Sequence, residues 1–342
     1  MTTQPGQRRA GKRGKLPARP DAIALKFGDY LRKDKLPTLP PRFGHVTNEP
    51  PGRHGWGMLG NDIAGDCVIA GRCHEIMVDA LATNRPVPDF SPGSALAAYS
   101  QCLVYCGGQP FDPNNPASDT GLDMQAAAKW WRAVGMTDAD GKLHKIDAYV
   151  AVETVDDVLM ATYLCGSAGV GLALPATAET QFEAGQVWSD VSGQPIGGHY
   201  VPCVGYMGGH LVFVTWGELQ GATRQYIQQW IEDGVCCLSR EYMMANNLSP
   251  EMIDWNQLLD DVDAIANASK TPESARLQVT RRQPSQPEPD TDAQHRPEPA
   301  HQPAPAEPKH QPEPEKPQPH LPKAHPKRQA EHKRPRKPHK RR

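Results

Sequence analysis

From Thr271 to Arg342 the chain carries 17 prolines and no aromatic residue. A stretch of this kind cannot bury enough apolar area to offset the entropy of folding, so it is expected to be a disordered tail rich in Pro, His, Lys and Arg. Residues 1–20, whose only charges are Arg8, Arg9, Lys12, Arg13, Lys15 and Arg19, are set aside as a basic disordered arm. The foldable part is then 21–270, within the usual size of one domain.

Division by segment also changes the charge. The whole chain has a net charge of −2, but residues 1–20 hold +6 and residues 271–342 hold 16 basic against 9 acidic side chains, which leaves −15 for the middle. An acidic body with two basic arms suggests arms that meet polyanions such as nucleic acid. Residues 321–342, with ten Lys or Arg against one Glu, are the densest part of that charge. No apolar run approaches the ~20 residues of a membrane span, so no membrane partner is expected. The basic N-terminus has no apolar segment after it, and a cytoplasmic location is expected.

All eight cysteines lie in the middle part. A body of this size does not need disulfide staples, so free thiols are the expectation. Cys102 and Cys106 could join zinc with Cys73 and His74, but a C-x3-C without a second tight pair favours buried apolar cysteines, and neither metal nor cofactor is expected. Cys236-Cys237 reads as core packing. His74 reads as core or surface, and His45, His54, His144 and His210 as solvated.

Residues 21–60 are turn-rich and read as an extended segment wrapping the body. Apolar residues from Val68 to Leu81 recur at helical spacing behind Asp66 as N-cap, which puts Cys67 at the first turn of a helix. Further helices are predicted over Pro92–Cys106, Met124–Val134 capped by Asp123, Val155–Cys165, Gln220–Glu232 and Ser249–Ala266. Strands are predicted over Ile146–Val152, Gly169–Leu174 and Val235–Ser239. Gly198–Tyr206 and Leu211–Trp216 read as a hairpin turning at Gly208-Gly209, with Pro202 marking an edge or a bulge. Helices first and a mainly antiparallel sheet later indicate an α+β fold.

A cysteine at a helix N-terminus has chemical meaning, because unpaired N–H groups and the helix dipole stabilise a thiolate there. It needs a proton acceptor and a donor for a developing oxyanion. Asn61 stands six residues before Cys67, and His199 stands 132 residues after it in Gly197-Gly198-His199-Tyr200. In these residues, and in Val214-Thr215-Trp216-Gly217, the chain resembles the papain-like cysteine peptidase superfamily, as a divergent bacterial or phage-type member. That resemblance covers about Trp56–Ser239 and extends to Gly121–Gly135, Leu159–Leu174 and Phe182–Trp188. It implies a helical lobe with a central Cys-bearing helix beside a β-sheet lobe, and a peptidase or related acyl hydrolase acting on a peptide or other acyl substrate. In it Cys67 is the nucleophile, His199 the general base and Asn61 the oxyanion-hole donor.

Three departures stand out. Asp66 beside the thiol is expected to raise its pKa. Asn61 replaces the family's longer Gln. The asparagine that orients the base becomes Val214 if the alignment is anchored on Trp216, or Thr215 if anchored on the distance from His199; Thr215, which can hydrogen-bond an imidazole, is the preferred reading. The alternative to an enzyme is a catalytically inactive papain-like binding or assembly module whose basic tails contact a polyanion.

Overall fold

The run from Tyr200 to Val204 is apolar at successive rather than alternate positions, as in a strand covered on both faces. In the computed structural model, which describes residues 8–19, 25–47, 55–239, 242, 253 and 255–268, this run sits inside a mixed α+β body. Val201 and Cys203 belong to one apolar core, and Tyr200 and Val204 to a second on the opposite side.

In chain order the elements are α1 (Phe27–Tyr30), β1 (Arg42–Gly44), α2 (Cys67–Ala82), α3 (Pro92–Tyr105), α4 (Met124–Ala133), β2 (Met136–Thr137), β3 (Leu143–His144), β4 (Ala148–Ala151), α5 (Val155–Cys165), β5 (Ala168–Pro175), α6 (Ala176–Glu183), β6 (Pro195–Met207), β7 (His210–Thr215), β8 (Glu218–Thr223), α7 (Arg224–Trp230), β9 (Ile231–Leu238) and α8 (Trp255–Ala268). The main sheet runs β4-β9-β5-β6-β7-β8, with β1 also on β6, and its pairings are antiparallel. α2, α3 and α4 share the second core, while α5, α6 and α7 share the first.

Local chemistry explains most boundaries. Ser91 and Ser94 form a capping box on α3, Asp123 accepts from the Ala126 N–H to open α4, and Thr154 with Asp157 caps α5. Pro202 lies in an interior strand, not at an edge, and the bulge it suggested falls next to it, where the β6–β7 register shifts between Cys203 and Gly205.

The predicted helix over Gln220–Glu232 is corrected: β8 occupies Glu218–Thr223, only Arg224–Trp230 is helical, and Ile231 already starts β9. Sheet pairing overrides the local propensity, β8 turning straight back onto β7 and β9 joining the distant β5. The closing helix covers Trp255–Ala268, past the predicted end at Ala266, while residues 249–252 and 254 of the predicted span lie outside the described residues. His45, His144 and His210 are half-buried rather than solvated, His144 pairing with Asp138 at 2.9 Å, while His54 lies outside the described residues. The expected tail, residues 271–342, also lies outside them. The cysteines are free, Cys236 packing in the first core as expected, and no described group of His, Cys, Asp or Glu could hold a metal ion. No helix among the described residues is long and apolar enough to cross a membrane.

One buried ion pair holds α2 against the sheet. The Arg72 guanidinium bonds Glu75 at 2.9 Å and the Met124 carbonyl at 3.3 Å, and lies 4.6 Å over the Tyr200 ring. Tyr200 in turn donates to Glu75 at 2.6 Å. These contacts tie α2 and α4 to β6 immediately beside His199.

Candidate active site

Cys67 is the first residue of α2, so the unpaired N–H groups of the first turn surround it. Asp66 sits at the N-cap but its side chain caps nothing, and both its oxygens are buried without a hydrogen-bond partner. Burial drives its pKa well above the usual carboxylate range. The neighbouring Asn61 amide works the other way, but it donates to the Ala64 carbonyl at 3.1 Å. Burial thus disfavours the Asp66 carboxylate, and its charge is among the causes that raise the Cys67 thiol, as expected from the sequence.

His199 lies on β6, where its Nε2 meets the Thr215 hydroxyl of β7 at 2.8 Å. Of the two alignments offered by the sequence, the geometry favours Thr215; Val214 only lines the cavity wall. The Trp216 indole stacks on the imidazole, centroids 4.7 Å apart and planes 28° apart, and is itself packed edge-on against Phe182 and Trp188. The ring is therefore fixed on one face and at one nitrogen. The other nitrogen, Nδ1, is buried with no partner. Cys67, His199, Asn61, Thr215, Val214, Trp216 and His74 line one small cavity of about 10 Å³, about the room of a single water. His74 is part of the buried core here, its Nε2 3.0 Å from the Trp56 carbonyl.

Thr215→Val should leave Nε2 of His199 without a partner in a buried position, a loss of about 1–3 kcal/mol of orientation and polar satisfaction. A roughly tenfold slower reaction of Cys67 with a thiol reagent, recovered by Thr215→Ser, would support the pairing; an unchanged rate would refute it.

Beside this cavity the chain lays its own N-terminal residues, Gly11 passing close to Asn61 and Trp216. Residues 8–19, expected to be part of a free basic arm, instead form a strap across the site. Lys12 N–H donates to the Asn61 carbonyl at 2.6 Å, Lys15 N–H to Gly198 at 3.1 Å, and Leu16 N–H to Leu122 at 3.0 Å, while Leu122 N–H donates back to Gly14 at 2.8 Å. The arm's cations meet carboxylates of the body: Lys12 with Asp119, Arg13 with Glu179, Lys15 with Glu232 and Asp233, and Arg19 with Asp123. In this arm, the charge asymmetry that suggested an external polyanion has an internal partner. Gly14 makes the closest passage, since a Cβ there would lie 1.6 Å from the Gly65 carbonyl oxygen.

The strap presents the sulfur with donors rather than a carbonyl. Backbone N–H groups of Tyr200, Gly14 and Lys15 favour the Cys67 thiolate, yet burial outweighs them and pushes the thiol up to about 11. Burial, with the Arg13 charge adding to it, pushes His199 down to about 3. With the strap in place the pair is thiol and neutral imidazole across the neutral pH range. The Gly14 carbonyl is turned to the Leu122 N–H, away from any attack.

Cys67, His199, Asn61 and Thr215 thus line one cavity. The strap and its acidic contacts were missed because proline and charge mark a segment as unstructured without saying what it lies against. The only available signal was the mutual neutralisation of a +6 arm and a −15 body.

No family model and no curated protein matches the chain. Among solved structures it is similar to xylellain, a cysteine protease from Xylella fastidiosa, at 15% identity and a TM-score of 0.49, over 69% of this chain and 99% of that one. It is also similar to procathepsin B from Trypanosoma congolense, at 14% identity and a TM-score of 0.46, over 66% of this chain and 85% of that one. A third similarity is to the cysteine protease and lectin-like domains of Cwp84 from Clostridium difficile, at 12% identity and a TM-score of 0.45, over 67% and 56%.

Proposed function

We propose that the protein is a papain-like cysteine hydrolase of peptide or related acyl bonds, held latent by residues 8–19 of its own chain. The observation that carries this reading is the state of His199: one ring nitrogen is bound to Thr215 and the other is unpartnered in the cavity that Cys67 shares. Once the strap leaves, Nδ1 takes the thiol proton and the sulfur attacks the acyl carbon. The carbonyl electron pair moves onto oxygen, where Asn61 and the Cys67 N–H stabilise it. Collapse expels the amine with the proton from His199, and a water deprotonated by His199 then releases the acid and restores the thiol.

Of the two features that motivated a non-catalytic module, the missing asparagine loses weight, because Thr215 stands beside His199 in its place; Asp66 still raises the thiol. Contact of residues 321–342 with a polyanion is a separate proposal, outside the described residues.

A peptidyl electrophile and a fluorogenic peptide amide test the reading on the full chain carrying Gly14→Ala. Labelling at Cys67 and turnover, both lost in His199→Ala, are expected. Cys106, the exposed thiol, should label independently of His199. Labelling of Cys67 that ignores His199, with no turnover, would overturn it.

A further inference from the structure

The deepest anchor of the strap is Lys15, whose side chain is fully buried although it carries a charge. Its ammonium lies 2.8 Å from Glu232 and 3.0 Å from Asp233, and donates to the Leu16 carbonyl at 3.0 Å. Neighbouring residues of a strand ordinarily point to opposite faces. Here the register of β5 against β9 passes from Leu172–Ile231 to Gly171–Asp233, so Glu232 is the extra residue of a bulge. The bulge lets two adjacent carboxylates face one channel. Gly171 keeps that channel open, since a Cβ there would lie 2.0 Å from Lys15 Cε and 2.2 Å from the Asp233 carboxylate.

The channel lies close to the candidate site, because Lys15, which fills it, donates its N–H to the carbonyl of Gly198, the residue before His199. An extended peptide reaching Cys67 between Leu122 and Gly198 would offer a side chain to the same channel. With Lys15 withdrawn, two carboxylates would face each other across a glycine-walled space, Asp233 mostly out of solvent, and a cation relieves that arrangement where an apolar or acidic group does not.

Resting on the hydrolase reading, we propose that Glu232, Asp233 and Gly171 form a specificity subsite for a lysine or arginine side chain of the substrate, next to or next but one from the carbonyl attacked. Lys15 occupies it as an internal stand-in. The strap and the substrate therefore compete for one charged pocket.

Full chain with Gly14→Ala is assayed on fluorogenic peptides that differ only in Lys, Arg, Leu or Glu at that position. A kcat/KM at least about tenfold higher for Lys or Arg than for Leu is expected, equivalent to ~1.4 kcal/mol. Adding Asp233→Asn and Glu232→Gln should bring the ratio close to one. Binding is read separately on Gly14→Ala, Cys67→Ser chain with fluorescein-labelled Gly-Lys-Gly and Gly-Leu-Gly. Tighter binding of the Lys peptide that vanishes with the two amide substitutions, without turnover in the cysteine form, would sustain the subsite and sink the hydrolase reading. Turnover with equal rates for Lys and Leu would do the reverse, leaving the carboxylates as anchors for the strap alone. Equal binding of the two tripeptides with no turnover would overturn both.

Discussion

Gly14→Ala is expected to speed alkylation of Cys67 by about 10- to 100-fold at neutral pH. The added methyl would fall 1.6 Å from the Gly65 carbonyl oxygen and 2.2 Å from its carbon, with backbone on both sides of the clash. Relief by side-chain rotation is not possible, so the strap must lift. Overpacking of this kind costs about 1–3 kcal/mol, which in a docking equilibrium is the stated factor. Lys15→Glu reaches the same end by another route, setting a third carboxylate against Glu232 and Asp233 in place of the ammonium. Wild-type rates in both variants would refute the strap as the cause of latency.

The pH dependence of that difference follows from His199. Its ordinary pKa of 6.5 is depressed to about 3 while the strap covers it, mainly by burial. Below 6.5 the uncovered ring binds a proton that the covered ring refuses. His199 thus favours docking fully above about pH 6.5, and that contribution is lost as pH falls toward 3. Acid should therefore release the strap in the wild-type chain, and the ratio of variant to wild-type alkylation should shrink between pH 7 and 4. A ratio constant over that interval would show that His199 stays neutral whether covered or not.

Arg72→Met should lower stability by about 3–5 kcal/mol, because it leaves Glu75 as an unpaired buried charge beside Tyr200. In a body of about 250 residues this corresponds to a fall in Tm of roughly 10 °C. The double variant Arg72→Met, Glu75→Gln should recover much of the loss, since no charge is then left without a partner. Thermal unfolding followed by circular dichroism measures both. A single variant within ~1 kcal/mol of wild type, or a double variant no better than the single, would mean that the pair is not what holds α2 on β6.

Legibility in the sequence followed the range of the interaction. α5 was read at its observed boundaries, and α2, α3 and α4 within one or two residues, because their apolar spacing and caps lie within a few positions of one another. The β6–β7 hairpin was legible through its glycine turn. The segment from Gln220 to Glu232 was not, because β8 exists through a turn back onto β7 at Trp216-Gly217 that carries no paired glycines, and β9 through pairing with β5, distant in the chain. That Cys67, His199 and Asn61 belong together was suggested by residue type and order, and they line one cavity. Thr215 over Val214 needed the 2.8 Å contact with His199.

What the sequence by itself determined was the inventory: an acidic middle part, a cysteine at a helix start, a histidine on a strand, and basic proline-rich ends. Tertiary structure decided what those groups face. A charge in a sequence has no partner until the chain is folded, so the six cations of residues 1–20 could be read only as a free polycation. Folded, most of them meet the body's own carboxylates, Gly14 passes where no side chain fits, and the thiol and imidazole are neutral because the strap excludes water from them. Desolvation is a property of what covers a group, and only the folded chain supplies the cover.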